Sequence, residues 1–295
     1  VYGNMDDNKV LISVVCVTYN HEKFISQAID SFLAQRTSFL FEIVIHDDAS
    51  TDRTIEIINS YKKKYPDVIK VIHQSVNQFS EGNRVYPIAF NYCKGEYFAL
   101  CDGDDYWVSR DKLQIQVEAL KKYPDVDLCF SRAFNLLPSG KLKNFSSAPK
   151  NLYFSDFANL LSGKKRISQK KNSEGDIHIP IEEIIERGGE YAHTGSLLIR
   201  SSALNNLPDF IKTAPVSDYY LQILTSVRGG AIYLNHSMSV YRKYSSESSW
   251  STSMRIYEKR KEWFDKTIRT NMLLNNYLDH KFSRSFNFIN SSCYC

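Results

Sequence analysis

Tyr97-Phe98-Ala99-Leu100-Cys101-Asp102-Gly103-Asp104-Asp105-Tyr106-Trp107 decides how this chain is read. The first five residues are apolar, as expected of a strand covered on both faces. The strand then ejects three carboxylates within four residues, and charges of one sign so close together repel. Such a cluster persists as an acidic surface turn if water screens it, or as a binding site if a cation joins it. Carboxylate oxygens suit Mg2+ or Mn2+, with a bound diphosphate completing the shell. Trp107 is expected to pack beneath this loop.

The pattern on either side places that strand in a larger sheet. Residues 10–17 are almost continuously apolar, the mark of a second buried strand. Phe24, Ile25, Ala28, Ile29, Phe32 and Leu33 then recur at helical spacing. Residues 41–45 read as a strand, and Ser50-Thr51-Asp52 as the start of a helix that ends in Lys62-Lys63-Lys64 before Pro66. Strand 68–73, helix 83–93, strand 96–101, helix 110–122 and strand 126–132 continue the alternation. Strands alternating with helices predict an α/β fold with a mostly parallel, doubly wound sheet. Beyond 134 the signal weakens, and the basic stretch 162–175 reads as loop. Strands are expected at 196–200, 231–234 and 239–242, and helices at 217–228 and 254–281. The expected organisation is an α/β half over 5–133, a second half of the same domain over 134–252, and a helical extension over 253–295.

Composition narrows the function classes. The 295 residues are 43% hydrophobic and 24% charged, as in globular proteins, and a net charge of +4 is too small to argue for nucleic acid. There is no apolar run of membrane-spanning length and no signal-peptide pattern, so the expected location is the cytoplasm, including the inner face of its membrane. Met5 is read as the native start. The six cysteines (16, 93, 101, 129, 293 and 295) are scattered without a CxxC pair, which speaks against zinc and redox roles. Cys293-Tyr294-Cys295 reads as a frayed tail.

In a parallel sheet, ligands bind beyond the carboxyl ends of the strands. Three polar clusters fall at such ends: Thr18-Tyr19-Asn20, Asp47-Asp48 and Asp102 to Asp105. Together they suit a nucleoside diphosphate. Tyr19 can stack on a base, Asp48 can accept from a base N–H, and Asp104 and Asp105 can hold ribose and metal. Asp47 reads better as the cap of the helix that starts near Asp52. Neither GxGxxG nor GxxxxGK[ST] is present, so dinucleotide and P-loop chemistry lack their phosphate cradle. Two later residues attract notice on their own: His193, before Thr194-Gly195-Ser196, and Trp250, beside Ser251.

Segments 12–35 (ISVVCVTYNHEKFISQAIDSFLAQ), 41–54 (FEIVIHDDASTDRT) and 95–117 (GEYFALCDGDDYWVSRDKLQIQV) resemble family 2 glycosyltransferases of GT-A fold. The likeness covers residues 10 to about 133 well and continues more loosely through 193–251. It implies that Val17, Tyr19, Asn20, Asp48, Asp102, Asp104 and Asp105 contact the nucleotide-sugar, with Asp104 and Asp105 on the metal. Asp218, in Ser217-Asp218-Tyr219-Tyr220-Leu221, resembles the catalytic base. Tyr241-Arg242 followed by Ser251 is similar to a late segment near the diphosphate. His193, Arg242, Tyr244 and Trp250 are candidates for contact with acceptor or diphosphate. The chain departs from the family in three places: Val17 stands where Pro is usual, Tyr244 where His is frequent, and Ser217 where a first acid usually precedes the base.

The resemblance implies a metal-dependent inverting glycosyltransferase using Mn2+ or Mg2+. It would move a hexosyl or N-acetylhexosaminyl group from a UDP-sugar to a glycan or lipid-linked glycan of the bacterial surface. Two other readings stay open: a catalytically silent nucleotide-sugar-binding or scaffold protein, and a sugar nucleotidyltransferase. The latter would want a Gly-rich basic loop, which His21-Glu22-Lys23 matches poorly. Residues 254–281 interleave basic and apolar positions, which suits peripheral membrane contact. The acids Glu258, Glu262 and Asp265 among them favour packing on the domain instead.

Overall fold

The computed structural model describes residues 9–145, 176–188, 191–246 and 249–292. The stretch 162–175, the start at Met5 and the cysteine pair at the end lie outside them. One mixed sheet organises the rest. Its strands are β1 (Val10–Thr18), β2 (Leu40–Asp47), β3 (Ile69–His73), β4 (Tyr97–Asp102), β5 (Tyr106–Trp107), β6 (Leu128–Leu136), β7 (Leu142–Asn144), β8 (Ile177–Ile179), β9 (Leu197–Arg200) and β10 (Ala231–Arg242). The order is β3-β2-β1-β4-β9-β6-β10-β5, with β7 on β6 and β8 on β10.

The expected parallel core is present: β1 pairs in parallel with β2 and β4, β2 with β3, and β6 with β10. β9 departs from it, running antiparallel between β4 and β6. Strands expected at 231–234 and 239–242 form a single strand, whose register shifts between Leu234 and Ser239. The polar Asn235-His236-Ser237 interrupts the apolar pattern there without ending the pairing. The division expected after 133 falls inside β6, so both halves share one sheet.

Alternate side chains of β1 serve opposite cores, as the two-residue period of a strand requires. Ile12, Val14 and Cys16 face α1 (Ile25–Leu33) and α4 (Lys112–Lys122), whereas Val15 and Val17 face the other layer. That layer holds α3 (Val85–Phe90), α5 (Ile181–Arg187), α6 (Asp218–Ser226) and parts of α8 (Tyr257–Tyr277) and α9 (Ser283–Ser292). α2 (Thr54–Lys64) flanks α1, and the short α7 (Trp250–Ser253) precedes α8. Burying each large apolar side chain contributes about 1.5–3 kcal/mol, so apolar cover on both faces explains the continuous hydrophobic run of β1.

The long helix α8 packs through its second half. Thr267, Thr270, Asn271 and Leu274 are buried, and Tyr220 donates its hydroxyl to the Thr267 carbonyl at 3.3 Å. Its first turn is exposed, including Tyr257 and Lys259 to Lys261. Among the described residues no helix is long and apolar enough to cross a membrane.

Candidate active site

Strands β1, β2 and β4 end at one edge of the sheet, with Thr18 opposite Asp47 and Val17 opposite Asp102. The loops that follow are joined by main-chain hydrogen bonds: Gly103 N–H donates to the Val17 carbonyl at 2.8 Å, and Asp48 N–H to the Thr18 carbonyl at 2.9 Å. Gly103 lies so close to β1 that a Cβ there would sit 2.5 Å from Thr18 Oγ1. Asn20 adopts a left-handed φ of 56°, which Asn tolerates better than most residues. Its Oδ1 accepts from Thr51 N–H at 2.7 Å, while its own N–H donates to Ser50 Oγ at 2.9 Å. The three polar clusters thus meet at one edge of the sheet.

Their side chains do different things. Tyr19 is 39% exposed at this edge. Asp47 does not cap α2 as expected, since that helix starts at Thr54 with Arg53 before it; instead Oδ1 accepts from Ser50 Oγ at 2.5 Å, and Oδ2 lies 2.7 Å from His73 Nδ1. Asp48, expected to face a base N–H, is only 3% exposed; its oxygens accept from Gln78 N–H at 2.8 Å and Phe79 N–H at 3.0 Å. Its carboxylate holds the loop at Gln78 and Phe79. Val17, expected among the nucleotide contacts, is a core strand residue whose side chain packs with Tyr86 and Phe98, leaving its carbonyl to hold Gly103.

The carboxylate loop separates into three environments. Asp102 Oδ1 accepts from the Tyr86 hydroxyl at 2.9 Å. Asp104 remains 14% exposed; its Oδ2 accepts from Ser245 Oγ at 2.7 Å and lies 3.9 Å from His21 Nε2. Asp105 is fully buried, and both its oxygens are engaged: Oδ1 accepts from Arg242 N–H at 2.7 Å, and Oδ2 lies 2.9 Å from His193 Nε2. Asp105, expected on a metal, has its carboxylate turned into the protein, where both oxygens are engaged. Burial, reinforced by the neighbouring carboxylates, holds Asp102 and Asp105 well above the usual carboxylate range. A cation at the loop would relieve that repulsion.

Arg242 closes the loop from β10. Its guanidinium lies between the rings of Phe24 and Tyr106, 4.8 Å from each centroid, and donates to the Asp104 carbonyl and to Gln27 Oε1. It serves as a clamp on the loop. Tyr244, at φ 60°, donates its N–H to Ser251 Oγ at 2.8 Å and lies under the Arg255 guanidinium at 4.7 Å. Trp250 is 47% exposed and packs edge-on against Trp263. Trp107 packs below the loop as expected, 4.6 Å from Phe32, with Lys112 Nζ 4.4 Å from its ring.

Asp218 opens α6 beside Thr194. Its Oδ1 accepts from Tyr219 N–H at 2.9 Å and its Oδ2 from Thr194 Oγ1 at 3.3 Å. Burial raises its pKa above the ordinary Asp value, the direction that makes a carboxylate a better base. His193 is buried against Tyr241 and Phe145, and burial lowers its pKa to about 4, so it is neutral near pH 7.

His21, Tyr86, Gln27, Thr194 and Ser245 were not anticipated as site residues. His21 had a usable signal in its place directly after Tyr19-Asn20. Tyr86 and Ser245 had none, since nothing in their spacing relates them to the carboxylates.

The glycosyl transferase family 2 profile matches residues 13–178. The chain belongs to this family. It is 30% identical over 253 residues to an uncharacterized protein of Mycobacterium tuberculosis, covering 85% of this chain and 63% of that one. It is 36% identical over 148 residues to the poly(ribitol-phosphate) beta-glucosyltransferase of Bacillus spizizenii, covering 48% and 21%. In structure it resembles Staphylococcus aureus TarS in complex with UDP-GlcNAc, with a TM-score of 0.54 and 18% identity over 93% of this chain and 73% of that one. It also resembles the mannosyltransferase PcManGT of Pyrobaculum calidifontis in complex with GDP-Man and Mn2+, with a TM-score of 0.56 and 17% identity over 88% and 65%. These two likenesses establish the fold expected for the chain, GT-A, with its helical C-terminal region.

Proposed function

We propose that the chain is a metal-dependent inverting glycosyltransferase that moves a sugar from a UDP-sugar to a hydroxyl of a glycan acceptor. The observation that carries this reading is that two consecutive residues, His193 and Thr194, contact Asp105 and Asp218 respectively. A nucleotide-side carboxylate loop and a carboxylate of raised pKa therefore line one cleft. The activity named for the Bacillus relative supports a bacterial cell-surface polymer as acceptor.

The residues fit a divalent cation. The loop offers hard carboxylate oxygens, crowded and in need of positive charge. Among the described residues no three His, Cys, Asp or Glu side chains converge as a finished cage, which suits a shell completed by diphosphate and water. Asp104, with Asp102 beside it, would hold Mn2+ or Mg2+, which when bound offsets charge on the leaving diphosphate.

The chain's own groups supply the rest. Tyr19 stacks on the base, and the loop held by Asp48 borders it. Asp218 takes the acceptor proton as the hydroxyl attacks the anomeric carbon opposite the diphosphate, so configuration inverts.

The test combines binding and turnover. Calorimetry with UDP, GDP and dTDP, with Mn2+ or EDTA, should show metal-dependent binding that favours UDP. Asp218→Asn should keep nucleotide affinity and lower turnover by about 10²–10⁴-fold. Full-affinity UDP binding in EDTA would remove the metal, and transfer within a few-fold of wild type would remove Asp218. Binding without turnover in the wild-type protein would favour the silent nucleotide-sugar-binding reading.

A further inference from the structure

The turn between α5 and β9 is secured from several directions. Trp107 Nε1–H donates to the Gly195 carbonyl at 2.9 Å, and Gln116 Nε2–H to the Ser196 carbonyl at 2.8 Å. Gln222 Nε2–H donates to the Ala192 carbonyl at 3.0 Å, and Ser196 Oγ–H to the His193 carbonyl at 2.6 Å. Gly195 is required where it stands: a Cβ there would lie 2.7 Å from His193 Cε1. Donors from β5, α4 and α6 thus hold the carbonyls of Ala192, Gly195 and Ser196, and the turn's own Ser196 holds that of His193.

The two side chains leading this turn point to the two sides of the cleft. His193 Nε2 lies 2.9 Å from Asp105 Oδ2, and Ser239 Oγ lies 3.5 Å from its Nδ1. Thr194 Oγ1 donates to Asp218 Oδ2 at 3.3 Å. Adjacent residues cannot separate, so whatever they hold keeps a set distance.

We propose that His193-Thr194 is a positioning bridge, which fixes the carboxylate loop relative to Asp218 and so sets where the acceptor hydroxyl meets the donor. Neither residue touches substrate in this scheme. His193 acts through Asp105 and Thr194 through Asp218. The proposal rests on the assignment of Asp218 as base, and its two arms make different demands. Losing the Thr194 hydroxyl leaves the nucleotide side intact and lets the base carboxylate swing. Losing the His193 donor releases Asp105 and, through it, the loop.

The test compares Thr194→Val, Thr194→Ser, His193→Leu and His193→Gln with Asp218→Asn in the full chain. UDP with Mn2+ is the binding probe, and UDP release from UDP-N-acetylglucosamine is the turnover probe. Thr194→Val should bind UDP within about twofold of wild type and lose about tenfold in turnover, and Thr194→Ser should recover it, since only the hydroxyl is at issue. His193→Leu should weaken UDP binding about tenfold and His193→Gln, which keeps a donor, should restore most of it. A reading independent of turnover is the carboxyl carbon NMR signal of Asp218, whose neighbours are the Tyr219 N–H, the Thr194 hydroxyl and His193. Thr194→Val should move its titration to higher pH, and Thr194→Ser should not. Equal damage from Val and Ser, or an unmoved signal in Thr194→Val, would overturn the bridge. Full turnover in Asp218→Asn would instead overturn the base assignment, leaving the bridge to be judged by the NMR signal and the His193 pair.

Discussion

Asp104 and Asp105 are neighbours in the chain and face opposite environments. Asp104 keeps one oxygen against Ser245 and part of its surface in solvent; Asp105 is sealed between His193 and the Arg242 main chain. Replacing Asp104 should therefore affect ligand binding alone, and replacing Asp105 the fold as well as the loop. Asp104→Ala should abolish Mn2+-dependent UDP binding with stability nearly unchanged. Asp105→Ala strands two buried donors and should cost about 2–4 kcal/mol in urea unfolding. Equal stability of the two variants would contradict this division.

Asp48 satisfies the N–H groups of Gln78 and Phe79 in a nearly closed site. Replacing it with Ala should cost about 1–3 kcal/mol of stability and loosen the loop beside the base. Discrimination between UDP and GDP, read by calorimetry, should fall with it. A variant with lowered stability and an unchanged nucleotide ranking would confine Asp48 to a structural part.

Arg242 works through a planar guanidinium between two rings. Lysine has neither the fork nor the flat face. Arg242→Lys should weaken UDP binding in Mn2+ about tenfold through loss of the stacked, hydrogen-bonded clamp. The Arg242 N–H bond to Asp105 belongs to the main chain and survives the change, so thermal unfolding should move less than in Asp105→Ala.

Burial depresses the His193 pKa to about 4 in the folded protein, against about 6.5 for an unperturbed histidine. A depressed folded-state pKa contributes stability that is complete above the unfolded value and is lost as pH falls through the folded one. Wild type should therefore lose stability relative to His193→Gln between about pH 6.5 and 4. The carboxylates Asp102, Asp105 and Asp218 shift the other way, so the comparison is between variant and wild type, not between two pH values of one protein. Parallel stability curves for the two proteins would show that His193 does not titrate in this way.

The sequence by itself determined the α/β architecture and the sheet edge where the three polar clusters meet. The run 10–17 and the strand at 97–101 are apolar because both faces of the sheet are covered. Strands that run in parallel must bring Tyr19, Asp48 and Asp102 to one edge, so those positions were legible from order and periodicity alone. Tertiary structure decided which of these carboxylates is fully buried and which stays partly exposed. Asp104 and Asp105 are the same residue type one step apart, and no local pattern separates them. His193 lies 88 positions from Asp105 and Arg242 lies 137 positions from it, and only the folded sheet brings all three together. The same holds for β9, whose apolar residues suit a parallel or an antiparallel neighbour equally well. Periodicity reports which side of a strand is buried, whereas the partner of a buried polar group is chosen by contacts between segments distant in sequence.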